Sequence, residues 1–359
     1  MQQATGTAVE RTVGLDLGDR TSRYYILSRE GTLLEEGRIA TTEASLRRRF
    51  SSMDRARVAF EVGAHSPWVG RLVADCGHEV IAANPRQIRL IYENQRKSDR
   101  ADAEYLARLA RLDPKLLAPV THRGEQAQAD LALLRSRDML VRTRADLVNH
   151  VRGSVKAVGQ RVPKCSTPVF AHRAEAHVPE PLEAALRPVL ETITQLSEQI
   201  HELDRRVEHI ARKDYPETEV LRQVPGVGSL TALCYVLTLE DPSRFPTSRD
   251  VGAYVGLVPK RRSSGERDPE LGITRAGDRM LRRLLVQAAH YTLGPFGPDT
   301  DLRRWGEKLA ARGGKNAKKR AIVAVARKLA VLLHSLWITG EVYEPLRHHP
   351  EAAQEQEAA

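Results

Sequence analysis

Residues 11–40 read RTVGLDLGDRTSRYYILSREGTLLEEGRIA, and they decide the fold. Thr12 to Leu17 is a short β-branched and apolar run closed by Gly18. Tyr24 to Leu27 is a second and Thr32 to Ile39 a third, with the turn residues Arg29, Glu30 and Gly31 between the last two. Runs of this kind bounded by turn residues are strands, and three in succession predict a β-meander. Further along, Thr42 to Phe50 fits a helix, Val58 to Val62 a buried strand, Pro67 to Cys76 a helix, Val80 to Ala83 another strand and Asp99 to Leu112 a helix.

The order βββαβαβα is that of a ribonuclease-H-like (RuvC-like) α/β domain. In that fold the first and fourth strands lie side by side and parallel. Asp16, in GLDLG, and Glu61, in VAFEVG, would then leave neighbouring carboxyl ends. Both close apolar strands, where an unpaired carboxylate is costly. Asp99 and Asp102, in KSDRADA, are three apart on a helix and share one face. Taken singly, each could be a capped turn or a solvated residue. Together, four carboxylates in one pocket suit Mg²⁺, or Mn²⁺: hard cations with oxygen ligands activate a nucleophile on one side of a phosphorus and stabilise the leaving oxygen on the other. Asp19, Asp54 and Asp75 are poorer ligands, since none closes a strand with a matching partner.

With 359 residues, 28% of them charged, the chain is long enough for two or three domains. No secretory leader precedes the first hydrophobic stretch, and no apolar run approaches the roughly 20 residues of a membrane span, so a cytoplasmic, nucleoid-associated protein is expected. Cys76, Cys165 and Cys234 are isolated from one another and from any His at ligand spacing, which speaks against structural zinc and disulfides. The net charge is +10, and residues 260–320 alone hold 16 Lys/Arg against 7 Asp/Glu, an excess of nine. Nearly the whole imbalance therefore sits in one region, with Lys315, Lys318 and Lys319 at its end. Clustered cations of this kind neutralise phosphates and release counterions, so double-stranded DNA is the expected partner.

Residues 126–158 read as one long helix, and the Pro- and His-containing stretch from Pro163 to Pro181 as a break. Val189, Ile193, Leu196, Ile200, Leu203, Val207 and Ile210 then follow a 4-3 spacing, the seam of a coiled coil. A helix packed on residues 126–158 of the same chain would show much the same stripe, and the spacing does not separate the two. Val224-Pro225-Gly226-Val227-Gly228 before an apolar helix, Ser229 to Leu239, is a helix-hairpin-helix signature: Gly226 and Gly228 permit a tight turn whose N–H groups can hold a DNA phosphate. The expected division is a tail at 1–10, a catalytic domain at 11–118, a helical coiled-coil region at 119–215, a mainly α-helical domain at 216–345 and a tail at 346–359.

On these residues the chain resembles the DEDD transposases of insertion sequence family one hundred and ten and the related Piv-type DNA invertases. The likeness rests on Asp16, Glu61, Asp99 and Asp102, with Lys97 before the last pair, and on the run PGVG, GLVP, SSG, GIT and GDRMLRRLL between residues 224 and 285. It implies a site-specific recombinase that excises and inserts a mobile element, guided in at least some members by a bridging RNA. It also maps a nucleophilic serine onto Ser264, with Ser263 its less favoured neighbour. Lys260, Arg261, Arg262, Arg267 and Arg275 would surround the phosphate, and Arg282 and Arg283 would add to the nucleic-acid surface. Tyr254 and Tyr291, the rival hydroxyl nucleophiles, lie in apolar helical stretches. After Glu61 the chain has Val62-Gly63-Ala64-His65-Ser66-Pro67-Trp68, where the family more often has a Thr-Gly pair and an aromatic at the position of His65, which leaves His65 open as a phosphate or base contact. A homodimer or tetramer that synapses two duplexes is the expected assembly, motivated by the heptad. A junction-resolving nuclease using metal-activated water, and an inactive nucleic-acid-binding relative, are the competing readings.

Overall fold

A computed structural model describes residues 9–86, 88, 98–261 and 270–348 of the chain. They divide into two compact units, Met1–Gly124 and Glu125–Ala359.

The first unit opens with the meander β1 (Arg11–Asp16), β2 (Thr21–Ser28) and β3 (Leu33–Ala40). It continues through α1 (Glu43–Ser51), β4 (Ala56–Glu61), α2 (Ser66–Asp75), β5 (Glu79–Ala83) and α3 (Asp99–Leu112). The sheet order is β3-β2-β1-β4-β5, with β1 antiparallel to β2 and parallel to β4. The element order and the central parallel pair agree with the sequence expectation, within one or two residues at each boundary except the start of β2, which lies at Thr21 rather than Tyr24.

Alternation along the strands divides the core between the two sheet faces. Val13, Leu15, Val58 and Phe60 pack with Leu46 and Phe50 of α1 and with Val69, Leu72 and Val73 of α2. On the opposite face Ala59, Ile81 and Ala83 pack with Leu106 and Ala110 of α3, while Tyr25 and Leu27 pack with Ala103 and Ala107. The residues under α3 are small for a reason seen at Gly14. A Cβ there would stand 1.9 Å from the Ala103 carbonyl oxygen and 2.5 Å from the Ala107 nitrogen, so helix and strand touch backbone to backbone.

The second unit is mostly helical: α4 (Glu125–Ala157), α5 (Phe170–Glu175), α6 (Glu180–Lys213), α7 (Thr218–Arg222), α8 (Ser229–Leu239) and α9 (Ser248–Tyr254). A short antiparallel pair, β6 (Pro259–Arg261) and β7 (Glu270–Ile273), precedes α10 (Arg279–Thr292), α11 (Asp301–Ala310) and α12 (Ala317–Thr339). The structure resolves the two readings of the heptad in favour of packing within the chain. Leu186, Leu190 and Ile193 of α6 pack with Val148, Val151 and Val155 of α4. At the other end Val207 and Ile210 share a cluster with Ala127, Leu131 and Leu134, so the two helices form an antiparallel hairpin. Arg137 of α4 donates to Asp204 of α6 at 2.8 Å along the same seam. That cluster continues into α8, α10 and α12, so the hairpin and the C-terminal helices share one core.

One sequence expectation needs correction. Helix α12 spans 23 residues and is long and apolar enough to cross a membrane. Here Ala321, Val325, Ala326, Leu329, Ala330 and Leu333 are at most 1% exposed inside the core of the second unit. Arg327 and Lys328 interrupt the apolar run in sequence, and helical geometry places both on the exposed face.

Candidate active site

Asp16 and Glu61 end β1 and β4. The parallel register pairs Leu15 with Phe60, and its next step brings Asp16 beside Glu61. Asp16 alternates with Leu15 and so shares the face of Gly14, which touches Ala103. Glu61 likewise shares the face of Ala59, which packs with Leu106 and Ala110. Both strand-end carboxylates therefore belong to the face that α3 covers. The helix direction brings the other pair to the same edge. Arg57, early in β4, donates to the Ala110 carbonyl at 3.1 Å, whereas Ala103 lies against Gly14, late in β1. So α3 runs antiparallel to β1 and β4, and its first turn, with Asp99 and Asp102, lies toward their carboxyl ends. Ser98 caps that turn by accepting from the Ala101 N–H at 3.3 Å. The positive end of the helix dipole favours carboxylates at this edge.

Asp16, Glu61 and Asp102 are half-buried and Asp99 is exposed. The first three each have an interaction partner within the chain. Among the described residues no group of three or more His, Cys, Asp or Glu stands close enough to hold a metal ion. The quartet thus shares one edge without forming the closed pocket expected from sequence, as mutual repulsion of like charges favours. Its all-oxygen donor chemistry fits a hard divalent cation.

The loops after β1 and β4 are joined at this edge. His65, the N-cap residue of α2, has its Nε2 3.5 Å from an Asp19 carboxylate oxygen, and its Nδ1 accepts from the Trp68 indole N–H at 3.0 Å. With Nδ1 accepting, the neutral ring carries its proton on Nε2, facing Asp19. Ser66 closes the turn beneath by donating to the Gly63 carbonyl at 2.8 Å and accepting from the Gly63 N–H at 3.0 Å. Arg23 of β2 is the register partner of Asp16. The sequence reading set Asp19 aside as a poorer ligand and did not single out Arg23. The meander and its turn length hold the signal for Arg23, because the short loop between β1 and β2 sets which residue faces Asp16.

In the second unit, β6 and β7 flank the SSG segment, a strand pair not foreseen within the expected mainly α-helical domain. Lys97, Arg262, Ser263, Ser264 and Arg267, and the side chain of Arg261, lie outside the described residues. The base of the hairpin is described in full. Gly256 has φ +71° and Gly277 φ +66°; a Cβ on the first would meet the Ala276 nitrogen at 2.3 Å, and one on the second the Tyr254 carbonyl oxygen at 2.0 Å. The Arg282 guanidinium donates to the Val255 and Ala276 carbonyls at 3.0 and 2.6 Å, clamping both sides of that corner. Asp278 caps α10 and also accepts from Arg135, while Arg283 pairs with Asp138 of α4. Arg282 and Arg283, expected at the nucleic-acid surface, are thus engaged inside the fold.

Gly226 and Gly228 do form a tight turn between α7 and α8. Gly226 has φ +87°, and its bare Cα lies against Tyr291 and the Ala288 carbonyl. The Glu208 carboxyl is held below the ordinary range by a hydrogen bond from Ser229, the first residue of α8, and by Arg222 and Arg212. Tyr254 is half-buried, with its hydroxyl 3.4 Å from the Thr238 carbonyl, whereas Tyr291 is 43% exposed. Of the cations expected to contact nucleic acid, Lys260, Arg275, Lys315, Lys318 and Lys319 are exposed. The last two open α12, whose first turn has no acidic residue to offset them.

Comparison with known proteins gives a consistent result. A DEDD-type family model described as "Transposase" matches residues 13–159, and the model of the "Transposase IS116/IS110/IS902 family" matches residues 218–300. The transposase for insertion sequence element IS1328 of Yersinia enterocolitica is 32% identical over 290 residues, covering 77% of this chain and 82% of the relative. The transposase for IS1111A of Coxiella burnetii is 30% identical over 261 residues, 70% of each chain. The pilin gene-inverting protein of Moraxella bovis is 24% identical over 266 residues, 72% of each.

Proposed function

The chain belongs to the IS110-family DEDD transposases of insertion sequences, and from that membership we propose that it cuts and rejoins DNA by metal-assisted serine attack. The reading is supported by the carboxylate edge: Asp16 and Glu61 on adjacent parallel strand ends, with the first turn of α3 carrying Asp99 and Asp102 toward them. Asp16, Glu61, Asp99 and Asp102 would hold Mg²⁺ or Mn²⁺. When bound, such a cation withdraws charge from phosphate oxygens and lowers the barrier to nucleophilic attack.

The serine chemistry has two balanced steps. Ser264 Oγ attacks the phosphorus, an O–P bond to serine forms, the bond to the 3′ oxygen breaks, and the serine proton leaves as the 3′ oxygen gains one. A 3′ hydroxyl of another strand then attacks the phosphoserine, restoring the serine and sealing the new junction. The bond energy is conserved through the covalent intermediate, so no external energy source is required. Lys260 and Arg275, with Arg261, Arg262 and Arg267, would offset charge on the phosphate in flight. Lys97, Lys315, Lys318 and Lys319 would hold DNA away from the reacting bond. A clamped hairpin base suits a loop that must present one hydroxyl repeatedly in the same place. The partners in this reading are element ends, target DNA and an element-encoded bridging RNA, handled in the cytoplasm by a dimer or tetramer. With the heptad seam engaged inside the chain, the oligomer rests on the need to hold two duplexes together.

Denaturing-gel capture of a protein–DNA adduct tests the proposal. Wild-type protein should form the adduct in Mg²⁺, Ser264→Ala should form none, and Asp16→Asn should bind DNA and stay folded without cleaving. An undiminished adduct in Ser264→Ala would remove the serine mechanism, and hydrolysed ends without joining would favour metal-activated water.

A further inference from the structure

The acidic edge also carries a cation whose position packing does not explain. Arg23 pairs with Asp16 across β1 and β2, and directly opposed residues of an antiparallel pair project to the same face. Tyr25 and Leu27, two and four residues further along β2, pack with Ala103 and Ala107 of α3, so this is the face on which the carboxylates stand. Arg23 is half-buried, and its Nε is shut off from solvent without a hydrogen-bond acceptor among the described residues. A guanidinium N–H left in that state is unfavourable, and an apolar side chain would fill the place at lower cost. Of the neighbouring cations, Arg57 of β4 is engaged with Glu79 and the Ala110 carbonyl and Arg100 of α3 with Glu36, whereas Arg38, the register partner of Arg23 on β3, is exposed.

We propose that Arg23 binds the scissile phosphate, its Nε–H and guanidinium fork donating to a non-bridging oxygen of the internucleotide phosphate attacked at the carboxylate edge. The proposal rests on the reading of that edge as the phosphodiester site. Its chemistry follows from the group. A guanidinium presents parallel N–H donors that match a phosphate, remains charged at every working pH, and is weakly hydrated enough to act from a half-buried position. Beside Asp16 it also reduces the repulsion that a phosphate meets on approaching carboxylates. Arg23 breaks no bond; it fixes where the phosphorus lies relative to Asp16 and Glu61.

The test uses the full chain and plasmid DNA carrying the gene with its own flanks. Cleavage kinetics, DNA affinity against salt, and urea unfolding would be measured for the wild type, Arg23→Gln, Arg23→Lys and Asp16→Asn. Arg23→Gln should lose about tenfold or more in kcat/KM, as expected for one charge-assisted phosphate contact, with an unfolding midpoint no lower than wild type. Its salt slope for binding should fall by about one, and Arg23→Lys should recover part of the rate by restoring the charge. Wild-type cleavage by Arg23→Gln would overturn the assignment. So would a loss of rate that only tracks loss of folded protein, or one that Arg23→Lys leaves unrelieved. Asp16→Asn separates the two readings: an active Asp16→Asn brings down the edge as the reaction site, whereas an inactive Asp16→Asn beside an unimpaired Arg23→Gln removes Arg23 alone.

Discussion

Gly14 is the point where the sequence lets α3 rest on β1, and its replacement tests how Asp102 is positioned. The methyl of Gly14→Ala would enter space held by the Ala103 carbonyl and the Ala107 nitrogen, both backbone atoms that no rotamer change can move. Overpacking of this kind costs about 1–3 kcal/mol, so the urea midpoint should fall, and the shift of α3 should lower cleavage further than the lost folded fraction explains. Gly153→Ala, inside α4 with nothing within 4 Å of the added carbon, should do the reverse and stabilise by about 0.5–1 kcal/mol. Equal effects of the two would mean that Gly14 is not a contact point. At this scale a residue's placement was legible wherever it closed a strand, as with Asp16 and Glu61. It was not legible where a role depends on cross-strand register or on a reach to a distant carbonyl. Arg23 and Arg282 look alike in sequence, yet one has an unsatisfied Nε beside an acidic edge and the other clamps two carbonyls.

Under the proposed function, helix α12 would combine two roles whose energies oppose each other. Lys318 and Lys319 lie in its first turn and Lys315 just before it, all exposed, where the positive end of the dipole repels cations. Each exposed charge so placed costs about 0.3–1 kcal/mol at low salt, a cost that folding alone gives no reason to accept. Replacing Lys315, Lys318 and Lys319 with Gln should therefore raise the unfolding midpoint slightly while weakening DNA binding and reducing its salt slope by up to about three. Stability and affinity moving together, or a salt slope left intact, would show that these lysines are ordinary solvated residues. The elements themselves were largely readable, because the meander, α3 and the long helices announce themselves through runs and periods. The partner of the heptad was not readable. A stripe records that a face is buried, and α4 of the same chain satisfies it as well as a second copy would.

At the scale of the whole chain, every core cluster closes within one unit. The clusters around the five-stranded sheet draw only on residues before 125, and those of the helical part only on residues after it. A unit that buries its own apolar surface needs no other to fold, so pieces comprising residues 1–124 and 125–359 should each unfold in a cooperative transition. Function should divide along the same line. The carboxylate edge belongs to the first piece, whereas the region with an excess of nine cations belongs to the second. Residues 125–359 alone should bind duplex DNA with nearly the salt slope of the full chain, and residues 1–124 should bind it far more weakly while retaining a calorimetric Mg²⁺ response that Asp16→Asn abolishes. A salt slope that stayed with residues 1–124 would reverse the division, placing DNA capture beside the carboxylates and leaving the basic region around α12 without a role in binding.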